Sequence, residues 1–269
     1  MLNSIFQGII QGLSEFLPIS SSGHLTLFQY FTGNHNLEAN MTTDIALHFG
    51  TLIAVCFYFR KDILPYFTIS GWKDAMRRKI AWLIIIASIP TGLIGLGLKK
   101  YFEAMFSSPK AICVALFITG ILLLISERLK MRNQNQTTLP ELSYGKAIVT
   151  GIAQGIACTP GISRSGTTIA AGLLMGLKGE ESARFSFLLM IPAVAGATLL
   201  DIIKVIKNGT PDGLVISDTI VGAVVAMITG FMALKFLVYI INKQKLAYFA
   251  YYLFAVSIIC FTLIQFAGK

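Results

Sequence analysis

The chain has 269 residues, of which 55% are apolar and 13% charged, about half the charged share of a soluble domain. A water-soluble fold of this length cannot hide that much apolar surface, so lipid must be the solvent for much of it. The net charge of +9 would raise nucleic acid as a partner in a soluble protein, but here the basic residues sit in short loops between apolar runs, where such charge orients a membrane protein; nucleic acid is therefore set aside, while an anionic substrate is not.

Residues 1–31 are apolar but interrupted. Gln7, Gln11 and Glu15 recur every four residues and share one helix face among Ile, Leu and Phe. A carboxylate at that depth needs a partner. A hard cation is one candidate, since Mg²⁺ takes carboxylate and amide oxygens together with substrate phosphates; an interhelical polar contact is the structural alternative. The segment lacks a basic n-region and an unbroken apolar core, so it is expected to be retained, not cleaved as a signal peptide. Pro18 ends the helix, and Ser20-Ser21-Ser22-Gly23-His24 follows. Its hydroxyls and amides can form an anion-binding concavity, and a Ser with a His in reach makes a nucleophile and acid/base pair, although most Ser-rich turns are only turns.

The first of six apolar runs spans 44–59 and opens on Asp44 and His48, one turn apart; they read equally as functional groups or as span-edge groups that meet lipid headgroups. Runs at 80–98 and 110–126 follow, then a polar linker. Residues 146–177 are a second interrupted segment. Pro160-Gly161 breaks it, and Ile162-Ser163-Arg164-Ser165-Gly166-Thr167-Thr168 leads into an apolar helix. Ser163 or Ser165 caps that helix, whose N-terminal amides favour an anion. Arg164 suits a phosphate bidentately; its alternative is an ion pair with Glu15. Runs at 184–203, 218–240 and 247–266 complete the chain. Cys56, Cys113, Cys158 and Cys260 form no CxxC or Cys/His pair and read as small apolar fillers.

The interrupted segments resemble each other. Gly8-Ile9-Ile10-Gln11-Gly12-Leu13 aligns with Gly151-Ile152-Ala153-Gln154-Gly155-Ile156, and at the same offset Ser20, Ser22 and Gly23 fall on Ser163, Ser165 and Gly166. Each copy precedes three apolar runs, so residues 1–126 and 146–266 read as a duplicated half. Fifteen Lys and Arg residues fall on one side of the spans, six on the other, and Arg164 on neither; the richer side is expected in the cytoplasm. The expected fold is all-α: six transmembrane helices plus two re-entrant helix pairs in an inverted-topology repeat, with broken tips meeting near mid-membrane.

With these motifs in order, the chain resembles the integral-membrane undecaprenyl-pyrophosphate phosphatases of the bacitracin-resistance type. The family's Gln-or-Glu, three residues, Glu motif is matched by Gln11 and Glu15, its Pro-x-Ser-Ser-x-Gly-His by Pro18 through His24, and its Pro-Gly-x-Ser-Arg-Ser-x-x-Thr by Pro160 through Thr168. The resemblance implies hydrolysis of a C55 isoprenoid pyrophosphate to its monophosphate, which recycles the lipid carrier for cell-wall polysaccharides and bears indirectly on bacitracin resistance. It implies Mg²⁺ or Ca²⁺, with Gln11 and Glu15 as the metal pair, Ser21 as nucleophile, His24 beside it and Arg164 holding phosphate. Ser20, Ser22, Ser163, Ser165 and Thr168 are expected to line the phosphate pocket. It also implies a site open to the external side of the cytoplasmic membrane. Some members carry Glu where this chain has Gln11, so one metal plus Arg164 is the simpler expectation here.

Sequence leaves the nucleophile open between Ser21 and an activated water, and leaves a homodimer open. Broken inverted repeats also belong to transporters, so a lipid-phosphate flippase or anion transporter is the rival class. The set Glu15, Ser21, His24 and Arg164 favours hydrolysis, since transport needs no nucleophile.

Overall fold

The structure, a computed structural model, describes residues 1–130, 136–242 and 246–267. Of the loop charges used to orient the chain, Arg132, Lys243, Lys245 and Lys269 lie outside the described residues.

In chain order the helices are α1 (Leu2–Phe16), α2 (Ser21–Phe31), α3 (Leu37–Tyr58), α4 (Arg60–Ile63), α5 (Ile69–Lys73), α6 (Ala75–Gly97), α7 (Lys99–Phe106), α8 (Pro109–Lys130), α9 (Tyr144–Ile156), α10 (Arg164–Leu174), α11 (Gly179–Asn208), α12 (Ile216–Asn242) and α13 (Ala247–Ala267). Six are long and apolar enough to cross a membrane: α3, α6, α8, α11, α12 and α13. The chain is an all-α, multi-pass membrane protein. The first span starts at Leu37, ahead of the apolar run at 44–59, because Asn36 caps it by accepting from the Ala39 amide.

Lipid-facing surface is legible in the packing. On α6, Trp82, Ile85, Ile89, Leu93 and Leu96 form a stripe of exposed apolar residues at helical spacing, while Gln11, Thr51, Thr119 and Gln154 are fully buried. Apolar outside and polar inside is the pattern expected when the solvent is hydrocarbon.

The helices interlock across the chain. α1 packs on α12 and α9 packs on α6, in both cases through glycine. A Cβ on Gly12 would lie 2.6 Å from the Gly230 amide nitrogen, and one on Gly155 would lie 2.8 Å from the Ile94 Cβ. Small residues allow helix backbones to approach this closely in membranes. Gly12 and Gly155 occupy aligned positions of the two similar segments, so the first helix of each segment is held by a helix from the other part of the chain.

Both interrupted segments fold as two helices around a break. Leu17, preceding Pro18, is extended (φ −64°, ψ 144°), as the residue before a proline must be. Ser20 is the one non-glycine among the described residues with positive φ, at 69°. In the second break Gly161 takes φ 87°, a conformation natural to glycine. Phe16, at the end of α1, packs edge-on against Phe187 of α11 at 5.7 Å, and a large apolar cluster beneath it takes in Leu83, Leu173, Phe185 and Leu189.

Candidate active site

The two breaks are pinned to one another. Ser20 Oγ caps α2 by accepting from the Gly23 amide at 3.3 Å, and Ser163 Oγ caps α10 by accepting from the Gly166 amide at 3.0 Å. Thr119 on α8 accepts from the Ser163 amide (3.1 Å) and donates to the Gly161 carbonyl (3.2 Å). Ser165 Oγ donates across to the Leu17 carbonyl at 3.1 Å. The first turns of α2 and α10 are thereby held against one small cavity, and helix N-termini are natural anion sites.

That cavity, about 130 Å³, is lined by Glu15, Ser20, Ser21, Ser22, His48, Ala157, Cys158, Ile162, Ser163 and Arg164. Glu15 is its only carboxylate and is 6% exposed. It has four partners. Arg164 Nη2 donates to Oε1. On Oε2, Ser21 Oγ donates at 2.5 Å, Gln11 Nε2 donates at 3.1 Å, and His48 Nε2 stands 3.3 Å away. The Arg164–Glu15 pair, weighed from sequence as an alternative to phosphate binding, is present in this structure. These partners offset the cost of burying a carboxylate.

Sequence reasoning placed other residues here that the structure sends elsewhere. His24 does not reach Ser21. Its Nδ1 donates to the Ser20 carbonyl and its Nε2 accepts from Tyr252 Oη, both at 2.8 Å, with the ring stacked on Tyr252. Ser165 is occupied by the inter-break bond to Leu17. Thr168 Oγ1 lies 2.5 Å from Ser186 Oγ and 2.8 Å from the Arg164 carbonyl, one turn behind the cavity. Ser20, Ser22 and Ser163 do line it. So does Cys158, which is exposed and is not the apolar filler expected.

His48 is the residue that sequence left undecided and the structure brings in. Its Nδ1 donates to the Asp44 carbonyl at 2.7 Å, which turns the other ring nitrogen towards Glu15. Asp44 itself faces away and accepts from Gln29 Nε2 at 2.9 Å. The available signal was the spacing: a His deep enough in a span to meet Glu15 of α1 differs from a His at the membrane edge. Cys158 also carries a signal, since it aligns with Glu15 at the offset of the duplicated segments, as Arg164 aligns with Ser21 and Ser163 with Ser20.

Cys158 also borders a second cavity of about 630 Å³. Its walls are mostly apolar and small, among them Gly92, Gly95, Ala193 and Gly196 of α6 and α11, and Lys99, Glu103, Asp201 and Lys204 ring one end. A polar chamber beside a longer apolar one suits a ligand with a charged head and an apolar body.

For a metal, the donor set is narrow. Among the described residues no group of three or more His, Cys, Asp or Glu gathers around a common point. Gln11 Oε1 is buried without a hydrogen-bond partner, beside Glu15. Gln11 lines no part of the cavity and turns Nε2 towards Glu15, so the cavity itself offers one carboxylate, which with phosphate oxygens and water suits one Mg²⁺ and not two.

Residues 4–259 match the family described as bacitracin resistance protein BacA. The chain is 43% identical over 254 residues to the undecaprenyl-diphosphatase of Halothermothrix orenii, covering 94% of each. It is 40% identical over 268 residues to the undecaprenyl-diphosphatase of Carboxydothermus hydrogenoformans (99% and 98% covered) and 38% identical over 276 residues to that of Methanobrevibacter smithii (97% and 96%).

Proposed function

The chain belongs to the bacitracin resistance protein BacA family, and on that premise we propose how its cavity carries out the family's reaction. The protein is a membrane hydrolase that converts undecaprenyl pyrophosphate to undecaprenyl phosphate and inorganic phosphate, in the service of cell-wall synthesis. The observation that carries the mechanism is the 2.5 Å bond from Ser21 Oγ to Glu15 Oε2. It puts a hydroxyl nucleophile and a carboxylate base in contact, with a guanidinium on the other carboxylate oxygen.

Phosphoryl transfer mostly needs positioning and charge neutralisation. The pyrophosphate lies against the first turns of α2 and α10, and Arg164 turns from Glu15 to the terminal phosphate. Ser21 Oγ attacks the terminal phosphorus in line, Glu15 takes its proton, and the bridging P–O bond breaks with its electron pair leaving on undecaprenyl phosphate. Glu15 gives that proton to the departing undecaprenyl phosphate, takes another from water as the water attacks the phosphoserine, and passes it to Ser21 Oγ as the P–O bond to serine breaks, releasing phosphate and restoring the Ser21 hydroxyl. His48 holds the Glu15 carboxylate from the side opposite Arg164. Glu15, joined by Gln11 Oε1 once that amide turns over, would hold one Mg²⁺ or Ca²⁺. When bound, such an ion neutralises charge on the phosphate oxygens. The prenyl chain runs into the apolar cavity between α6 and α11.

The α1–α2 and α9–α10 segments are read as re-entrant pairs of an inverted repeat, residues 1–126 and 146–266. The reciprocal packing of α1 on α12 and α9 on α6 supports that reading, because each copy's first helix then meets the same element of the other copy. The site is read as opening on the external face: Lys99 and Lys204, at the rim of the large cavity, belong to the side poorer in basic residues.

Phosphate release from a prenyl pyrophosphate by the purified protein, followed by acid quench and a search for phosphoserine, tests the mechanism. Phosphoserine at Ser21, with release lost in Ser21→Ala, is the expected result. Full release from Ser21→Ala would remove Ser21 as nucleophile and leave Glu15 activating water directly.

A further inference from the structure

Residues 59–74 join α3 to α6, so both ends of this loop are fixed at a membrane face. The loop is folded. α4 leads to a 3₁₀ turn at Leu64–Phe67 and then to α5, capped by Thr68. Trp72 Nε1 donates to the Tyr66 carbonyl at 2.7 Å, Tyr66 Oη donates to the Arg77 carbonyl at 3.2 Å, and Arg78 Nη1 donates to the Trp72 carbonyl at 2.9 Å. A Cβ on Gly71 would meet the Pro65 main chain, 2.6 Å from its carbonyl carbon. Asp62 is tied at 2.5 Å to Arg184 of α11, and Asp74 caps α6.

Most polar groups of this loop are thus engaged in bonds within the protein, while several of its apolar groups stand exposed. Phe67 and Ile69 are each 82% exposed and Leu64 is 60% exposed. For a loop bathed in water so much exposed apolar surface is out of place, and none of the described residues covers it. The charge is equally lopsided. Both carboxylates are committed to internal partners, whereas Lys61 and Lys73 make no ion pair among the described residues. Apolar tips flanked by unpaired cations are how interfacial segments sit in a bilayer, with side chains below the headgroups and ammonium groups among the phosphates.

We propose that residues 61–73 form an interfacial anchor that inserts Leu64, Phe67 and Ile69 into the headgroup region of the bilayer and binds anionic lipid through Lys61 and Lys73. Lipid is the occupant the structure favours, because the spans α3 and α6 hold the loop at the membrane surface and its free charge is all positive. The anchor is separate from the phosphate site and does not depend on the reaction.

The protein has two tryptophans, Trp72 in this loop and Trp82 in α6, so Trp82→Phe leaves a single reporter beside the anchor. The full chain is placed in nanodiscs of phosphatidylcholine, with and without phosphatidylglycerol, carrying lipids brominated near the headgroup or near the chain end. Trp72 emission is expected to be quenched by the shallow bromines more than by the deep ones, and more strongly in the anionic discs. Phe67→Ser with Ile69→Ser should lose that quenching, and Lys61→Gln with Lys73→Gln should lose the anionic preference alone. If Trp82→Phe does not fold, the difference between the natural protein and Trp72→Phe gives the same reading. Free access of acrylamide to Trp72 with no effect of brominated lipid would overturn the proposal. So would shielding seen only when two chains share a disc, which would make the surface a contact between copies.

Discussion

Removing the Arg164 guanidinium should separate the two jobs the residue holds. Arg164 neutralises Glu15 in the resting site, and Glu15 is 6% exposed. Breaking a buried ion pair from one side costs about 3–5 kcal/mol because the other charge is left behind. Glu15 would keep Ser21, Gln11 and His48, so Arg164→Ala should fall at the low end, about 3 kcal/mol. Adding Glu15→Gln removes the stranded charge, and a coupling of about 2 kcal/mol should return as stability. Activity should not return: loss of a charge donor on the phosphate costs roughly 10²–10³-fold, and the double variant also lacks its base. Reversible unfolding in mixed micelles, followed by circular dichroism, reads the first quantity, and phosphate release reads the second. Strictly additive stability losses, or an active double variant, would refute the assignment of Glu15 as the charge that Arg164 offsets.

Three other outcomes are expected. Gly12→Leu and Gly155→Leu should each destabilise the fold by more than the ~1–3 kcal/mol usual for overpacking, because the obstacle is backbone or a Cβ at 2.6 and 2.8 Å; melting in detergent checks this, and unchanged midpoints would contradict the packing. A membrane-impermeant thiol reagent added outside sealed cells should block phosphate release through Cys158, and Cys158→Ala should abolish the block; protection of Cys158 from that side would place the opening on the other face. Chelation of divalent ions should stop release, and Gln11→Ala should raise the Mg²⁺ concentration needed for half-activity several-fold, in addition to lowering the melting midpoint through loss of a buried side chain that bonds Glu15 and Thr51. An unchanged Mg²⁺ requirement would remove Gln11 from the ion.

Much of this was legible in the sequence because it rests on local rules. Pro18 and Pro160-Gly161 announce the breaks, Ser163 or Ser165 announces a cap, and the apolar runs announce the spans. Glu15 and Arg164 stood out because charge is costly at that depth. What could not be read was direction. Ser21 and His24 are one turn apart, yet Ser21 reaches α1 while His24 turns to Tyr252 on α13, a partner 228 residues away. Ser165 and Thr168 belong to a phosphate-like motif, but the Ser165 hydroxyl ties the two breaks together and the Thr168 hydroxyl bonds Ser186 of α11. His48 was ambiguous for the same reason: its role depends on how deeply α3 slides past α1, which tertiary packing sets.

The cross-packing of α1 on α12 has a consequence for synthesis. α1 leaves the ribosome well before α12, with Gln11 and Glu15 on its inner face, and the helix whose backbone receives Gly8 and Gly12 starts only at Ile216. At about 5–20 residues per second, the wait is roughly 10–40 s. Arg164 arrives earlier but still well after α3. Through that interval the carboxylate must be shielded by water, by the insertion machinery or by a provisional partner. His48, the earliest-made of its partners beyond α2, is the side chain placed to serve.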